Sequence, residues 1–493
     1  MSGLSATSKK AMSVSASRDP ASMLIVSTRK DGLGGRLLAM ANAKALADRL
    51  GYRFGFTWSD RKITDEGSHT VDVVQNIFSS DFIERHWLGE KIKAANFRVL
   101  GDAAFTPSDL AAIAGRQSGW ICNQFNAVDF FRDDGAEPVR RSDALRSFGF
   151  APAVRQALEA AGKCPFPGPM AALHLRSGDI VHGSNRRRLI FADKVIPSTL
   201  GKAIVSELSL KGLTTLLIGQ DRAMLDYLQT ETGAMRTDDF GAGEFEEDET
   251  LRAFFEMALM ASCEQIHAGK SIYAELASVL SAVPCTYVDA LFSRARATEI
   301  ILGEVQAHGS HYGPLECAFA YQWTFLTLED EIKPAQAREL LGKAQALDPE
   351  NEAYGLKMAV AHYREGDPES GEAILESLMK TQWGARSKLP LPMLDIMTNL
   401  FGGWLALARD FDVFFAAAKA GHPYAMACSA YIMHEVLGEK SSAVETAARL
   451  VKMEPANPIF REIRRRVRWG KKPKTGRLAK AIWRLRRIKG HWL

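Results

Sequence analysis

The sequence predicts an α/β protein of two doubly wound lobes followed by an all-α region. Three observations carry this expectation. A short apolar run, residues 23–26, leads through a glycine-rich turn into a helically spaced segment, the pattern of a strand feeding a helix in a parallel sheet. The pattern restarts after the Pro/Gly stretch 164–169, with apolar runs at 171–175 and 213–218. Beyond about residue 310 the strand-like runs stop and helical spacing alone remains.

Taken in order, residues 1–20 are rich in Ser and small residues and read as a disordered leader. After the 23–26 run comes the turn Asp31, Gly32, Leu33, Gly34, Gly35. A helix over 36–50 follows, because Leu37, Met40, Ala41, Ala43, Leu46, Ala47 and Leu50 recur at helical spacing and Gly51 ends it. Residues 52–58 resume a strand. The first lobe is placed at 21–165. The second, at 166–308, has strands at 171–175, 213–218, 265–268 and 286–288, with helices at 251–262 and 271–281.

From 309 to 460, Ala337, Leu341, Ala344 and Pro349 have the second-helix spacing of a tetratricopeptide repeat. Gly371, Leu375 and Leu378 fall in the same register, and Ala443, Ala447, Leu450 and Pro455 repeat it. The segment thus resembles two or three degenerate repeats, beside which an unrelated helical bundle stays open. Such arrays present concave surfaces to protein partners.

Composition narrows the classes. Apolar residues are 46% and charged residues 24% of the 493, ordinary for a globular protein. The net charge of +4 hides an asymmetry: residues 461–493 hold fourteen Lys or Arg against Glu462 alone, so the first 460 residues carry about −9. Six widely spaced cysteines form no zinc or disulfide pattern, which points to reduced thiols and a cytoplasmic setting. No run of about 18 apolar residues predicts a membrane span. With an acidic body and no RNA- or DNA-binding motif, nucleic acid is not expected as a partner.

Two segments carry candidate chemistry. In the first, glycines let backbone amides approach an anion at a helix start, and Arg36 puts a cation where the helix dipole disfavours one unless an anion is near. In the second, His174-Leu175-Arg176-Ser177-Gly178-Asp179 follows an apolar strand. Alternation places His174 and Arg176 on one face of the strand end, where open α/β sheets bind ligands. The planar fork of Arg suits a pyrophosphate, and Asp179 is placed to orient it. Arg186, Arg187 and Arg188 either line the same pocket or are solvated. Structural roles for the turn and for the strand-end His and Arg stay open.

The segment from Asp31 through Tyr52 resembles the opening motif of fucosyltransferases, usually GGLGNR before a helix. HLRSGD at 174–179 resembles their HxRxGD signature. The strand ending at Asp221 and the helix starting at Ser271 are similar to two later family motifs, in the same order. The relatives in pattern are the α-1,6 and nodulation-type fucosyltransferases and the protein O-fucosyltransferases. The resemblance implies two Rossmann-like lobes of the GT-B kind, GDP-fucose as donor, inversion at the sugar carbon and no essential metal or other cofactor. It assigns Arg176 to the leaving diphosphate as the catalytic residue. His174, Gly178, Asp179, Asp221 and Ser271 fall on the donor side, with Gly32, Gly34, Gly35 and Arg36 facing the same cleft from the first lobe. Gly35 stands where the family usually has Asn and Ser177 where the α-1,6 group has a second Arg, so another nucleotide sugar stays open.

The segment 477–493 has Leu478, Ala481, Ile482, Leu485 and Ile488 on one helical face, basic residues elsewhere, and tryptophans at 469, 483 and 492. That is the pattern of a basic amphipathic helix on an anionic membrane. The expectation is a peripheral enzyme acting on a glycan, lipid-linked or protein acceptor. An inactive repeat-bearing scaffold is the competing class.

Overall fold

The computed structural model describes residues 22–60, 71–112, 117–135, 137–398, 400–401, 404–405 and 407–470. The expected leader (1–20) and the 471–493 part of the expected basic tail lie outside these residues.

The first lobe is a parallel sheet of β1 (Leu24–Ser27), β2 (Arg53–Phe56), β3 (Phe97–Val99) and β4 (Gly119–Ile121) in the order β2-β1-β4-β3. Between β1 and β2 runs α1 (Leu33–Leu50), closed by Gly51 at φ 66°. It begins three residues earlier than its apolar spacing suggests, so Gly34 and Gly35 lie inside its first turn. A ring cluster of Phe54, Phe56, Phe78, Phe82, Phe148 and Phe150 fills the core beside β2.

Helix α2 (Pro152–Gly162) precedes the Pro/Gly stretch but packs on the second lobe, against α5 below. That lobe is a second parallel sheet: β5 (Met170–Leu175), β6 (Thr214–Gly219), β7 (Met235–Arg236), β8 (Gln265–Ala268) and β9 (Cys285–Thr286), ordered β7-β6-β5-β8-β9. All six residues of β5 are buried, as expected for a central strand covered on both faces. Helices α3 (Gly201–Leu210), α4 (Arg222–Thr232), α5 (Glu249–Ala261) and α6 (Ile272–Ser281) connect the strands. Strand order reverses beside β5, which makes its carboxyl end a topological switch point.

The remainder is helical: α7 (Arg294–His308), α8 (Pro314–Leu328), α9 (Pro334–Leu347), α10 (Glu352–Glu365), α11 (Pro368–Arg386), α12 (Phe411–Ala420), α13 (Pro423–Glu435), α14 (Lys440–Met453) and α15 (Pro458–Trp469). Each of the pairs α8/α9, α10/α11 and α13/α14 packs helix on successive helix. Of the repeat-register positions, Ala337, Leu341, Ala344, Gly371, Leu375, Ala443, Ala447 and Leu450 are buried within them and Leu378 is half-buried. Between the second and third pairs the regularity is broken by residues 387–410, which include a two-residue hairpin, Leu400–Phe401 with Trp404–Leu405. Inside this region Lys357, 2% exposed, donates to Glu329 and Asp410 at 2.6 Å each, and Arg409 and Arg364 complete the charges at 2.9 and 2.8 Å.

The boundary expected after 308 is not a packing boundary. Ile180, Val181, Leu189, Phe191, Ala192 and Val195 of the second lobe share one apolar core with the helical region. Arg186 pairs with Asp348 (3.1 Å) and Glu350 (2.9 Å), and Arg187 pairs with Glu352. Arg186 and Arg187 of the arginine run are therefore paired with the helical region. They dock the helices onto the lobe. All six cysteines are unpaired, and among the described residues no helix is long and apolar enough to cross a membrane.

Candidate functional site

Strand β5 ends in His174 and Leu175, and the chain turns through Arg176, Ser177 and Gly178 into one helical turn, Gly178–Val181. Gly178 takes φ 37°, in the left-handed region that a side chain disfavours, which lets the chain reverse directly over the strand end. Arg176 Nη2 donates to Asp179 Oδ1 at 2.9 Å, and Asn185 Nδ2 donates to Asp179 Oδ2 at 2.6 Å. Burial works to raise the Asp179 carboxyl pKa, but Arg176 and Asn185 outweigh it and hold it below the ordinary value. Asp179 is thus an anionic clamp that fixes the guanidinium. His174 is 7% exposed, its ring 5.5 Å from that of Tyr273.

The neighbouring strand β8 ends in Gly269, Lys270 and Ser271, and Ser271 is the N-cap of α6. Its hydroxyl makes no capping bond, although Ser is favoured there for that bond. The side-chain oxygens of Ser271 and Ser177, both residues 2% exposed, have no hydrogen-bond partner within the chain. Buried hydroxyls are ordinarily satisfied, so each of these two can take one further polar partner, as can Thr199, Thr215 and Thr324 elsewhere.

A further cation closes the crevice. Lys194 ends a 3₁₀ segment, Leu189–Lys194, held against the β8 end by Lys270 N donating to Asp193 O at 2.8 Å and by the Lys270–Asp193 ion pair at 3.1 Å. A Cβ on Gly269 would sit 2.4 Å from the carbonyl carbon of Lys194, so only glycine permits this contact. Burial, and then the like charge of Arg176, push the Lys194 pKa below its usual value; Arg29 adds to the effect, against Asp193 and Asp179. Arg29 comes from the first lobe. It follows β1 at that sheet's own switch point, where it donates to Asn123 O (2.9 Å) and Asp31 (2.7 Å) and lies 3.9 Å over the Phe125 ring.

The glycine turn meets the second lobe at the same place. A Cβ on Gly34 would lie 3.4 Å from Ile272 O and Tyr273 Cα, so the N-termini of α1 and α6 abut. Gly32 is the N-cap of α1, and Gly35 lies under the Asp31 carboxylate, which a Cβ there would meet at 2.6 Å. Arg36 departs from expectation. It is 2% exposed and donates to the carbonyls of Asp31 (2.7 Å), Ser59 (2.6 Å) and Lys30 (3.1 Å), with its guanidinium 4.9 Å over Trp58. Three carbonyl oxygens thus take up the guanidinium of this cation at a helix start, and Arg36 organises the turn.

Asp221 follows β6 and caps α4 by accepting from Met224 N at 3.1 Å. It follows the strand end next to that of β5 and lies beside His182 and Glu316 of α8. These three could hold a metal ion: their donor atoms lie within 4.8 Å of one another.

Sequence reasoning missed Lys194, Arg29 and Glu316. The strand-end logic applied to Arg176 would also have found Arg29, just past β1. Lys194 and Glu316 carry no local signal, because tertiary packing alone brings them in.

Fold and crevice together define a two-lobed α/β protein in which the N-termini of α1 and α6 abut and Arg29, Arg176 and Lys194 lie within one another's electrostatic reach. No family model matches the sequence, and no curated protein sequence matches it. Among solved structures the chain is similar to the fucosyltransferase NodZ from Bradyrhizobium at 15% identity and a TM-score of 0.33, covering 54% of this chain and 96% of that one. It is also similar to POFUT1 in complex with GDP, at 10% identity and a TM-score of 0.30, covering 55% and 99%. Likeness at this level assigns no activity, and the functional conclusion is drawn from the residues of the crevice.

Proposed function

We propose that the protein is a glycosyltransferase whose donor is a nucleoside-diphosphate sugar, with GDP-fucose the first candidate because of the motif resemblance. The observation that carries this is the convergence, at facing switch points, of two helix N-termini, three cations (Arg29, Arg176, Lys194) and two unpartnered buried hydroxyls. A doubly charged diphosphate is the ligand such a set compensates best, through charge-assisted bonds and helix dipoles.

In the proposed reaction the acceptor oxygen bonds to the anomeric carbon from the side opposite the leaving group, giving inversion. The bond from that carbon to the β-phosphate oxygen breaks, and its electron pair leaves with the nucleoside diphosphate. The acceptor proton passes to a carboxylate or water. Arg176, oriented by Asp179, and Lys194 stabilise the charge growing on the departing phosphate, and the α6 N-terminus with Ser271 adds to them. Losing one such group costs about a hundred- to a thousandfold in rate. The acceptor is a hydroxyl of a glycan, a lipid-linked sugar or a protein.

Calorimetry with GDP, UDP, ADP, CMP and GDP-fucose, on wild type and Arg176→Ala, tests the proposal. Selective GDP binding that the substitution removes supports it. Preference for another nucleotide keeps the transferase and replaces the sugar. A folded protein that binds none leaves the scaffold class.

A further inference from the structure

We infer that His182, Asp221 and Glu316 form a divalent-metal site that ties the second lobe to the helical region. His182 follows the helical turn after Asp179, Asp221 follows β6, and Glu316 lies in the first turn of α8, so three separate elements contribute one donor each. His182 Nε2 lies 3.6 Å from Asp221 Oδ2 and 3.4 Å from Glu316 Oε1. Ligand atoms about 2.1 Å from one ion stand about 3.0 Å apart at neighbouring positions. The two distances from His182 are thus within about half an ångström of that spacing, and all three donor atoms lie within 4.8 Å of one another.

The second carboxylate oxygens show how the donors are aimed. Asp221 Oδ1 is occupied by Met224 N, and Glu316 Oε2 by Ser198 Oγ at 2.8 Å. Outer hydrogen bonds of this kind orient metal ligands and set which oxygen faces the ion. Glu316 is 2% exposed, and its Oε1 has no hydrogen-bond partner within the chain although it points at the imidazole. A buried carboxylate oxygen left without a donor is costly, and a cation removes that cost. One imidazole with two carboxylates suits a borderline ion such as Mn2+ or Zn2+. Three protein donors leave positions for water.

The test uses metal alone, without nucleotide, so that it reads this cluster independently of the proposed diphosphate crevice. The full chain is stripped with a chelator and titrated with MnCl2, free Mn2+ being followed by electron paramagnetic resonance; ZnCl2 is titrated against a chromophoric chelator. Expected are one equivalent bound per chain and a metal-dependent rise in unfolding temperature. Both are weakened at least tenfold in apparent affinity by Glu316→Gln and by His182→Gln. Should Glu316→Gln fail to fold by near-ultraviolet circular dichroism, the more exposed Asp221→Asn takes its place. Absence of binding by wild type, or binding that none of these substitutions weakens, overturns the inference and leaves the cluster as a set of side-chain contacts without a metal.

Discussion

Lys194→Met separates function from stability at the crevice. The lysine sits partly buried beside Arg176 and within the field of Arg29, and burial followed by like charge holds its pKa below the ordinary value. The sign follows directly. The unfolded chain keeps the Lys194 proton more tightly than the folded one, so at neutral pH the charged group costs the fold stability, and the cost fades as pH rises through the lowered pKa. Methionine keeps the apolar stem and removes the charge. It forfeits the cation–π contact with Phe191 at 4.4 Å, worth about 0.5–1 kcal/mol. The unfolding free energy of the variant, from urea unfolding, is therefore expected to stay within about 1 kcal/mol of wild type or to rise. Diphosphate binding moves the other way, since a bond to a charged group contributes about 1.5–3 kcal/mol, or about ten- to a hundredfold in Kd. Calorimetry with GDP and urea unfolding on the same preparation give both numbers. A variant that loses more than 1 kcal/mol while binding GDP like wild type would refute the reasoning and make Lys194 a structural residue.

Three further outcomes are expected. His267, 1% exposed on β8, is held down to about 4 by burial, helped by Lys211, against about 6.5 when unfolded. Its neutral form is favoured in the fold, so its contribution to stability is complete above pH 6.5 and falls by up to about 3 kcal/mol as pH drops to 4; urea unfolding of His267→Gln should show a shallower acid slope than wild type. Lys357→Met leaves Glu329 and Asp410, 7% and 0% exposed, short of one buried cation, and should cost about 3–5 kcal/mol in unfolding free energy; a loss under 1 kcal/mol would show that Arg409 and Arg364 suffice. Helix α15 buries Ile459, Phe460, Ile463 and Val467 and exposes Arg461, Arg464, Arg468 and Trp469, the last 73% exposed. The full chain should sediment with anionic but not neutral vesicles. Replacing the three arginines by Glu should weaken this, and unchanged sedimentation would remove α15 from any membrane contact.

Much of the site's frame is legible in the sequence, for a physical reason. Strands β1, β5 and β6 are mostly buried, so they appear as largely apolar runs, and the glycines beside them mark where the chain turns. The strand-end placement of His174 and Arg176 follows from alternation alone. Strands β3 and β4 escape notice because three residues are too few to show a period. Arg36 misleads because a cation at a helix start looks unmatched until Ser59 brings in its carbonyl from 23 residues on. Arg186 and Arg187 look like a solvated run because their partners, Asp348, Glu350 and Glu352, are more than 160 residues away. Glu316 reads as an ordinary acidic residue favouring a helix start, and only the packing of α8 on the second lobe delivers it to His182 and Asp221.

The apolar core shared by the second lobe and the helices has a consequence for how this protein can be divided. A chain ended after residue 308 would turn Ile180, Val181, Leu189, Phe191, Ala192 and Val195 to water, each losing burial worth up to about 1.5–3 kcal/mol. Those residues sit in the same loop that carries Asp179 and Lys194. The helices are therefore the missing half of that loop's interior rather than a detachable accessory, and a gene fragment encoding the two lobes alone would specify a protein unable to shape its own crevice.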